Sequence, residues 1–282
     1  MTRGAGAEAF GALLRVSREG DPRVAAERWL EGRAVGLEGR RALLDESQAD
    51  WKFLLPPRAL GRAATVGLGC GATVSLARSC RRLWALGMSP EDSAYLRVRA
   101  DHEGLDRLRP LCVAAGPVLP FRAGTLDLVV IAWAPWLHGL RGRTASRLRR
   151  SLLEEAVRVL GPGGSLLVLD TSPAGRLLRR AGRLWRRRPA ADSVTTGAVW
   201  PLGRYRRLLP GLGFEALQAF ALYPSARAFD WILPLDCPPA WLPVAGPAGR
   251  RWRRARPWLG AFRRLGMLGR LMPAYLIVAR RS

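Results

Sequence analysis

Residues Thr65-Val66-Gly67-Leu68-Gly69-Cys70-Gly71 carry a short apolar run into a glycine-rich turn, and a helix-compatible segment follows from Ala72 to Cys80. Glycine lets backbone approach a bound ligand closely. The N–H groups at a helix N-terminus lack intrahelical acceptors, so strand, glycine turn and helix together make a ready site for a nucleotide-like ligand. The unit also limits the fold. A strand followed by a helix pairs in parallel with the next strand through that crossover.

The chain downstream obeys this limit. Apolar runs at 64–68, 83–86, 111–115, 126–133 and 165–169 predict strands, and helix-like segments at 73–82, 90–106 and 144–160 separate them. Strands buried on both faces read as continuous apolar runs, and their alternation with helices predicts a doubly wound α/β sheet. Local punctuation agrees. Ser89-Pro90-Glu91-Asp92 has the cap, the proline and the first-turn acids of a helix start. Gly161-Pro162-Gly163-Gly164 predicts a tight turn before the strand Ser165–Asp170. A helix near 202–212, an apolar stretch from Phe214 to Tyr223 and a last strand at 274–279 complete the pattern.

Four regions follow from this reading. Residues 1–55 are a helical extension, 56–172 a ligand-binding core, 173–200 an Arg-rich insertion, and 201–282 the end of the fold with a basic, Trp/Pro-rich insertion. Charge is the outlier in composition. Basic residues number 46 against 22 acidic ones, for a formal net charge of +24, and Lys52 is the only lysine. GC-rich coding accounts for arginine in place of lysine, but not for the surplus of positive charge. That surplus favours anionic partners such as nucleic acid, phospholipid headgroups or phosphorylated substrates.

Cys70, Cys80, Cys112 and Cys237 form no CxxC pair and no metal-like cluster with His102 or His138, which predicts reduced thiols and no metal. The N-terminus has no signal-type apolar core, and the longest apolar run, Leu126 to Leu137, is too short to span a bilayer. The expected location is the cytoplasm.

Several spaced features then occur in one order: Gly69-Cys70-Gly71, Ser89-Pro90-Glu91, Leu119-Pro120-Phe121, Gly124-Thr125-Leu126-Asp127-Leu128-Val129-Val130 and Val159-Leu160-Gly161-Pro162-Gly163-Gly164. Together they resemble the class I S-adenosylmethionine-dependent methyltransferases, densely from about 64 to 170 and more loosely beyond. The resemblance implies a Rossmann-like, mostly parallel seven-stranded sheet and S-adenosylmethionine as cofactor. It places Gly67, Leu68, Gly69, Cys70 and Gly71 against the methionine portion of the cofactor, Met88 beside the adenine, and Ala132, within 131–138, beside the transferred methyl. His138 is the histidine at the right edge, a candidate general base whose plainer reading is a loop residue.

The sequence departs from the family at three acids. The first-strand acid corresponds to Gly67, the ribose acid to Gly87 and the adenine acid to Ala115, while Thr73 stands at the third glycine. A lost charge-assisted contact costs about 1.5–3 kcal/mol, so two or three losses weaken binding by several powers of ten. Glu91 and Asp92 fit either the ribose or the first turn of their helix. Asp170, at the end of the fifth predicted strand, is the best surviving acid at the ligand edge.

Two functions remain open: methyl transfer to a small molecule or a glycolipid or polysaccharide precursor, and a catalytically inactive methyltransferase-like protein that binds a partner. The Arg/Trp/Leu tracts at 176–188 and 250–264 suit an anionic membrane surface better than nucleic acid, or they are plain solvated surface.

Overall fold

The computed structural model describes residues 44–87, 90–111, 117–133, 142–173, 175, 199–224, 229–235 and 272–282. Eight strands form one sheet: β1 (Arg62–Val66), β2 (Arg82–Leu86), β3 (Leu108–Leu111), β4 (Leu126–Ala132), β5 (Leu160–Thr171), β6 (Phe214–Pro224), β7 (Phe229–Pro234) and β8 (Ala274–Arg281). Their spatial order is β3-β2-β1-β4-β5-β8-β6-β7. Strands β1 to β5 pair in parallel, and β8 lies antiparallel between β5 and β6. The expected sheet had seven strands. The eighth, β7, adds an antiparallel edge through a hairpin with β6.

Among the described residues four α-helices cover the sheet: α1 (Cys70–Ser79), α2 (Pro90–His102), α3 (Gly142–Val159) and α4 (Leu202–Gly211). Two cores result, one on each face. Leu76 of α1, Leu96 of α2, Ala49 and Trp51 pack with Leu128, Val130, Leu167 and Leu169 on one face. On the other, Leu152, Leu153 and Ala156 of α3 and Tyr205 and Leu209 of α4 pack with Ile131, Trp133 and Val168. Alternate residues of β4 and β5 thus serve opposite cores, which explains why these strands read as unbroken apolar runs. In α3 the buried positions 145, 149, 152, 153, 156 and 159 trace one helical stripe.

Several boundaries moved. Strand β5 begins at Leu160 and takes in the glycine–proline segment, β3 ends at Leu111, and α1 starts at Cys70 inside the glycine turn. Of the expected N-terminal helices, the described part is a 3-10 helix, Glu46–Leu54, capped by Asp45, whose carboxylate accepts from Ser47 N at 2.9 Å. Residues 1–43 and the tracts at 176–188 and 250–264 lie outside the described residues. No described helix is long and apolar enough to cross a membrane.

Candidate functional site

Strand β1 is flanked by β2 on one side and β4 on the other, so the chain reverses its winding direction at the carboxyl ends of β1 and β4. Ligands of open α/β sheets bind at such a switch point. Val66 pairs with Ile131 in register, which sets Gly67 and Ala132, the next residues, side by side at that edge. Leu68, Cys70 and Ala132 also share the core on the α1 face. The structure therefore brings Gly67 to Gly71 and Ala132 together. Met88, Ala115 and His138 lie outside the described residues.

Backbone geometry explains two of the missing acids. Gly67 has φ 67° and Gly87 has φ 71°, both in the left-handed region, and Gly67 N donates to Leu86 O at 2.9 Å. A side chain at either position costs about 1–2 kcal/mol. The ends of β1 and β2 are thus built for glycine, and a carboxylate there would be strained. Thr73, at the third glycine position, is buried, and its hydroxyl donates back to Gly69 O at 2.9 Å. It fits the helix without entering the turn.

Gly71 needs its lack of side chain for a different reason. A Cβ there would lie 2.7 Å from the backbone oxygen of Asp45. The segment before the 3-10 helix closes directly against the first turn of α1. Contacts from the 3-10 helix that follows hold it in place. Lys52 Nζ donates to Ser75 Oγ at 3.0 Å, and Gln48 pairs in both directions with the backbone of Phe229. Glu46 binds Arg78 and the buried Arg99, both of which also bind Glu103, at 2.6 and 2.7 Å. Burial works to raise the Glu103 carboxyl, but Arg99 and Arg78 hold it below its ordinary value.

Cys70, in the turn itself, is a free thiol whose Sγ lies 3.8 Å from the Asp92 carbonyl oxygen. Burial, and then the Asp92 charge, push its pKa well above the ordinary value, so it remains a thiol. Burial drives Cys80 up to about 12. Asp92, half-buried in the first turn of α2, is thus an acid beside the glycine turn.

Asp170, the best surviving acid at the ligand edge by sequence, has another task. Its carboxylate receives Arg149 Nη1 and, at 3.2 Å, Nη2; Tyr205 OH donates to it at 2.8 Å and Thr171 N at 2.8 Å. Arg149 is buried in the apolar stripe of α3, with its Cζ 4.8 Å from the Trp133 ring centroid and 5.7 Å from that of Trp200. Trp133 Nε1 and Arg149 Nε have no acceptor among the described residues. Burial raises the Tyr205 and Tyr275 hydroxyls far above their ordinary range, so both stay protonated donors. Asp170 answers a buried cation, and its carboxylate is taken up by the fold. The sequence signal for this was an arginine within a helical apolar stripe. Asp127 is likewise structural, accepting from Arg62 N at 2.7 Å.

The turn fits the methionine half of S-adenosylmethionine: its glycines sit at the switch point, and the first N–H groups of α1 have no intrahelical acceptors. The ribose side lacks its usual carboxylate at Gly87.

Parallel β1 to β5, antiparallel β8 and a glycine turn closing β1 define a Rossmann-like methyltransferase fold. Residues 65–168 match the methyltransferase domain family, and solved structures share the fold. No curated protein matches it in sequence. Among solved structures it is similar to an S-adenosylmethionine-dependent methyltransferase of Thermotoga maritima, at 18% identity and TM-score 0.50 over 91% of this chain and 95% of that one. It is similar to the YcgJ protein of Bacillus subtilis at 15% identity and TM-score 0.51, over 84% and 98% of the two chains. A geranyl diphosphate methyltransferase bound to its diphosphate and sinefungin aligns at 14% identity and TM-score 0.50, over 84% and 78%. Likenesses at this identity establish the fold alone.

Proposed function

We propose that the protein transfers a methyl group from S-adenosylmethionine to a small-molecule acceptor or a glycolipid or polysaccharide precursor. The observation that carries this reading is the glycine turn at the switch point, with Gly67 and Ala132 side by side and the N-terminus of α1 beside them. The cofactor, when bound, supplies the electrophilic methyl. The backbone of Leu68 to Gly71 holds the methionine portion and Met88 flanks the adenine. Asp92 is the acid that takes up part of the ribose contact absent at Gly87. Ala132 borders the methyl, and its small side chain leaves room for an acceptor atom. His138 accepts the acceptor's proton where that nucleophile needs a base. Much of the rate then comes from positioning and exclusion of water.

A second reading is a methyltransferase-like protein without catalysis, which acts through its Arg-rich surface against a partner or an anionic membrane. The left-handed glycines at 67 and 87 favour it, because an acid at either position would be strained by the backbone conformation. Isothermal titration with S-adenosylmethionine and S-adenosylhomocysteine separates the two. Saturable heat supports the enzyme, and no heat with either compound at millimolar concentration removes it.

A further inference from the structure

The edge of the sheet opposite the glycine turn gathers arginines. Arg62 and Arg82 begin β1 and β2 and pair in register. Arg280 and Arg281 end β8 at the same edge, where β8 runs antiparallel to β5. Arg58 precedes β1 on a short 3-10 helix, Pro57–Leu60. Like charges placed together repel, so each needs an answer.

Most have one. Arg62 lies 3.8 Å from the Asp127 carboxylate, Arg158 binds Glu155 at 2.7 Å, and Arg281 donates to the Leu160 carbonyl. Arg82 lies over the Trp84 ring, 5.8 Å from its centroid. Arg58 and Arg280 differ. A point one bond from Gly163 Cα lies 3.3 Å from Arg280 Nη2, 3.6 Å from Arg280 Nε and 3.8 Å from Arg58 Cζ. Two guanidinium groups therefore converge above one glycine. Glu215 stands opposite Arg280 in the β6–β8 register, yet neither arginine has an ion pair among the described residues. Gly163, with φ 69°, keeps the point clear, since a side chain there would be strained and would crowd Arg280.

We propose that Arg58 and Arg280 form an oxyanion site for a phosphate monoester at the amino edge of the sheet, across the strands from the methyl-transfer edge. The guanidinium is a planar fork of donors that matches phosphate oxygens, and two forks at one point supply charge and geometry together. The anion also removes the repulsion between them. This site is independent of the cofactor reading. It gives the surplus positive charge of the chain one specific use.

The test is titration of the full chain with inorganic phosphate, at ionic strength matched with chloride. It compares the wild type, the double variant Arg58→Gln/Arg280→Gln, and a charge-matched control, Arg97→Gln/Arg147→Gln, on exposed faces of α2 and α3. The first pair is expected to weaken phosphate binding at least about tenfold, and the control to change it less than about twofold. Equal responses of the two variants, or no saturable binding to wild type, overturn the site. Both variants replace exposed side chains, and circular dichroism checks their folding. Flotation with phosphatidic acid vesicles, against phosphatidylcholine alone, then assigns the source. Flotation that needs both arginines identifies a lipid headgroup, and phosphate binding without flotation identifies a soluble phosphorylated ligand.

Discussion

The ends of β1 and β2 and the end of β5 lie along the same edge of one sheet, yet they treat charge in opposite ways. At Gly67 and Gly87 the backbone turns through the left-handed region and carries no carboxylate. At Asp170 the carboxylate is kept, but it is buried and surrounded by Arg149, Tyr205 and the Thr171 amide. An acid at a ligand edge is therefore not by itself a ligand acid. What decides is whether its hydrogen-bonding positions are already filled by the fold. In the proposed site, the cofactor would be held by backbone groups of the glycine turn, beside which Asp92 lies.

The largest expected effect lies on the β5 side. Asp170→Asn leaves the Arg149 charge buried without its counter-ion, and should destabilise the protein by about 3–5 kcal/mol in urea unfolding. A loss below about 1 kcal/mol would show that water reaches this network and that the two regions do not differ as described. Next comes Gly71→Ala. Its methyl meets the Asp45 backbone, so one element must shift, at a cost of about 1–3 kcal/mol, with faster proteolysis of the segment around Asp45.

Gly87→Asp restores the family's acid and tests the β2 side directly. Stability should fall by about 1–2 kcal/mol from the left-handed backbone. Cofactor affinity, read by calorimetry in the same variant, should rise less than a well-placed charged hydrogen bond gives, which is about tenfold or more. A full gain without loss of stability would mean that the turn tolerates an acid and that its absence is accidental.

The smallest effect concerns pH. Arg99 and Arg78 hold the Glu103 carboxyl below its ordinary value, so its folded pKa lies under its unfolded one. The stability this gives is complete above the unfolded carboxylate range, near pH 4–5, and is lost as pH falls through the folded value. Glu103→Gln should flatten part of that acid limb in thermal unfolding between about pH 5 and pH 3 and leave the neutral side nearly parallel. Exposure of Arg78 screens the effect, which added salt should reduce further.

Much of the fold was legible because β1, β4 and β5 are covered on both faces, and such strands announce themselves as apolar runs. Strand β7 was not. Phe229-Asp230-Trp231 mixes charge with aromatic residues at an edge, where only one side pairs. The glycine turn was legible in the sequence, and the family resemblance put Ala132 near it, as their adjacency at the sheet edge shows. The buried arginines were not, since arginine in a helix reads as solvated surface and the partners lie far along the chain: Asp170 is 21 residues from Arg149, and Glu46 is 53 from Arg99. The left-handed backbone at Gly67 and Gly87 was equally hidden. The residue type showed an acid missing, and the φ angles showed why it cannot simply be put back.

The most direct test of a backbone-held cofactor is calorimetric titration of the wild-type chain with S-adenosylhomocysteine, repeated with Asp92→Asn. Saturable binding is expected, weakened about tenfold or more by the variant, because Asp92 lies beside the glycine turn and is proposed to meet the ribose. Absence of heat at millimolar ligand with the wild type would contradict a functioning cofactor site and leave the glycine turn as a relic of the fold.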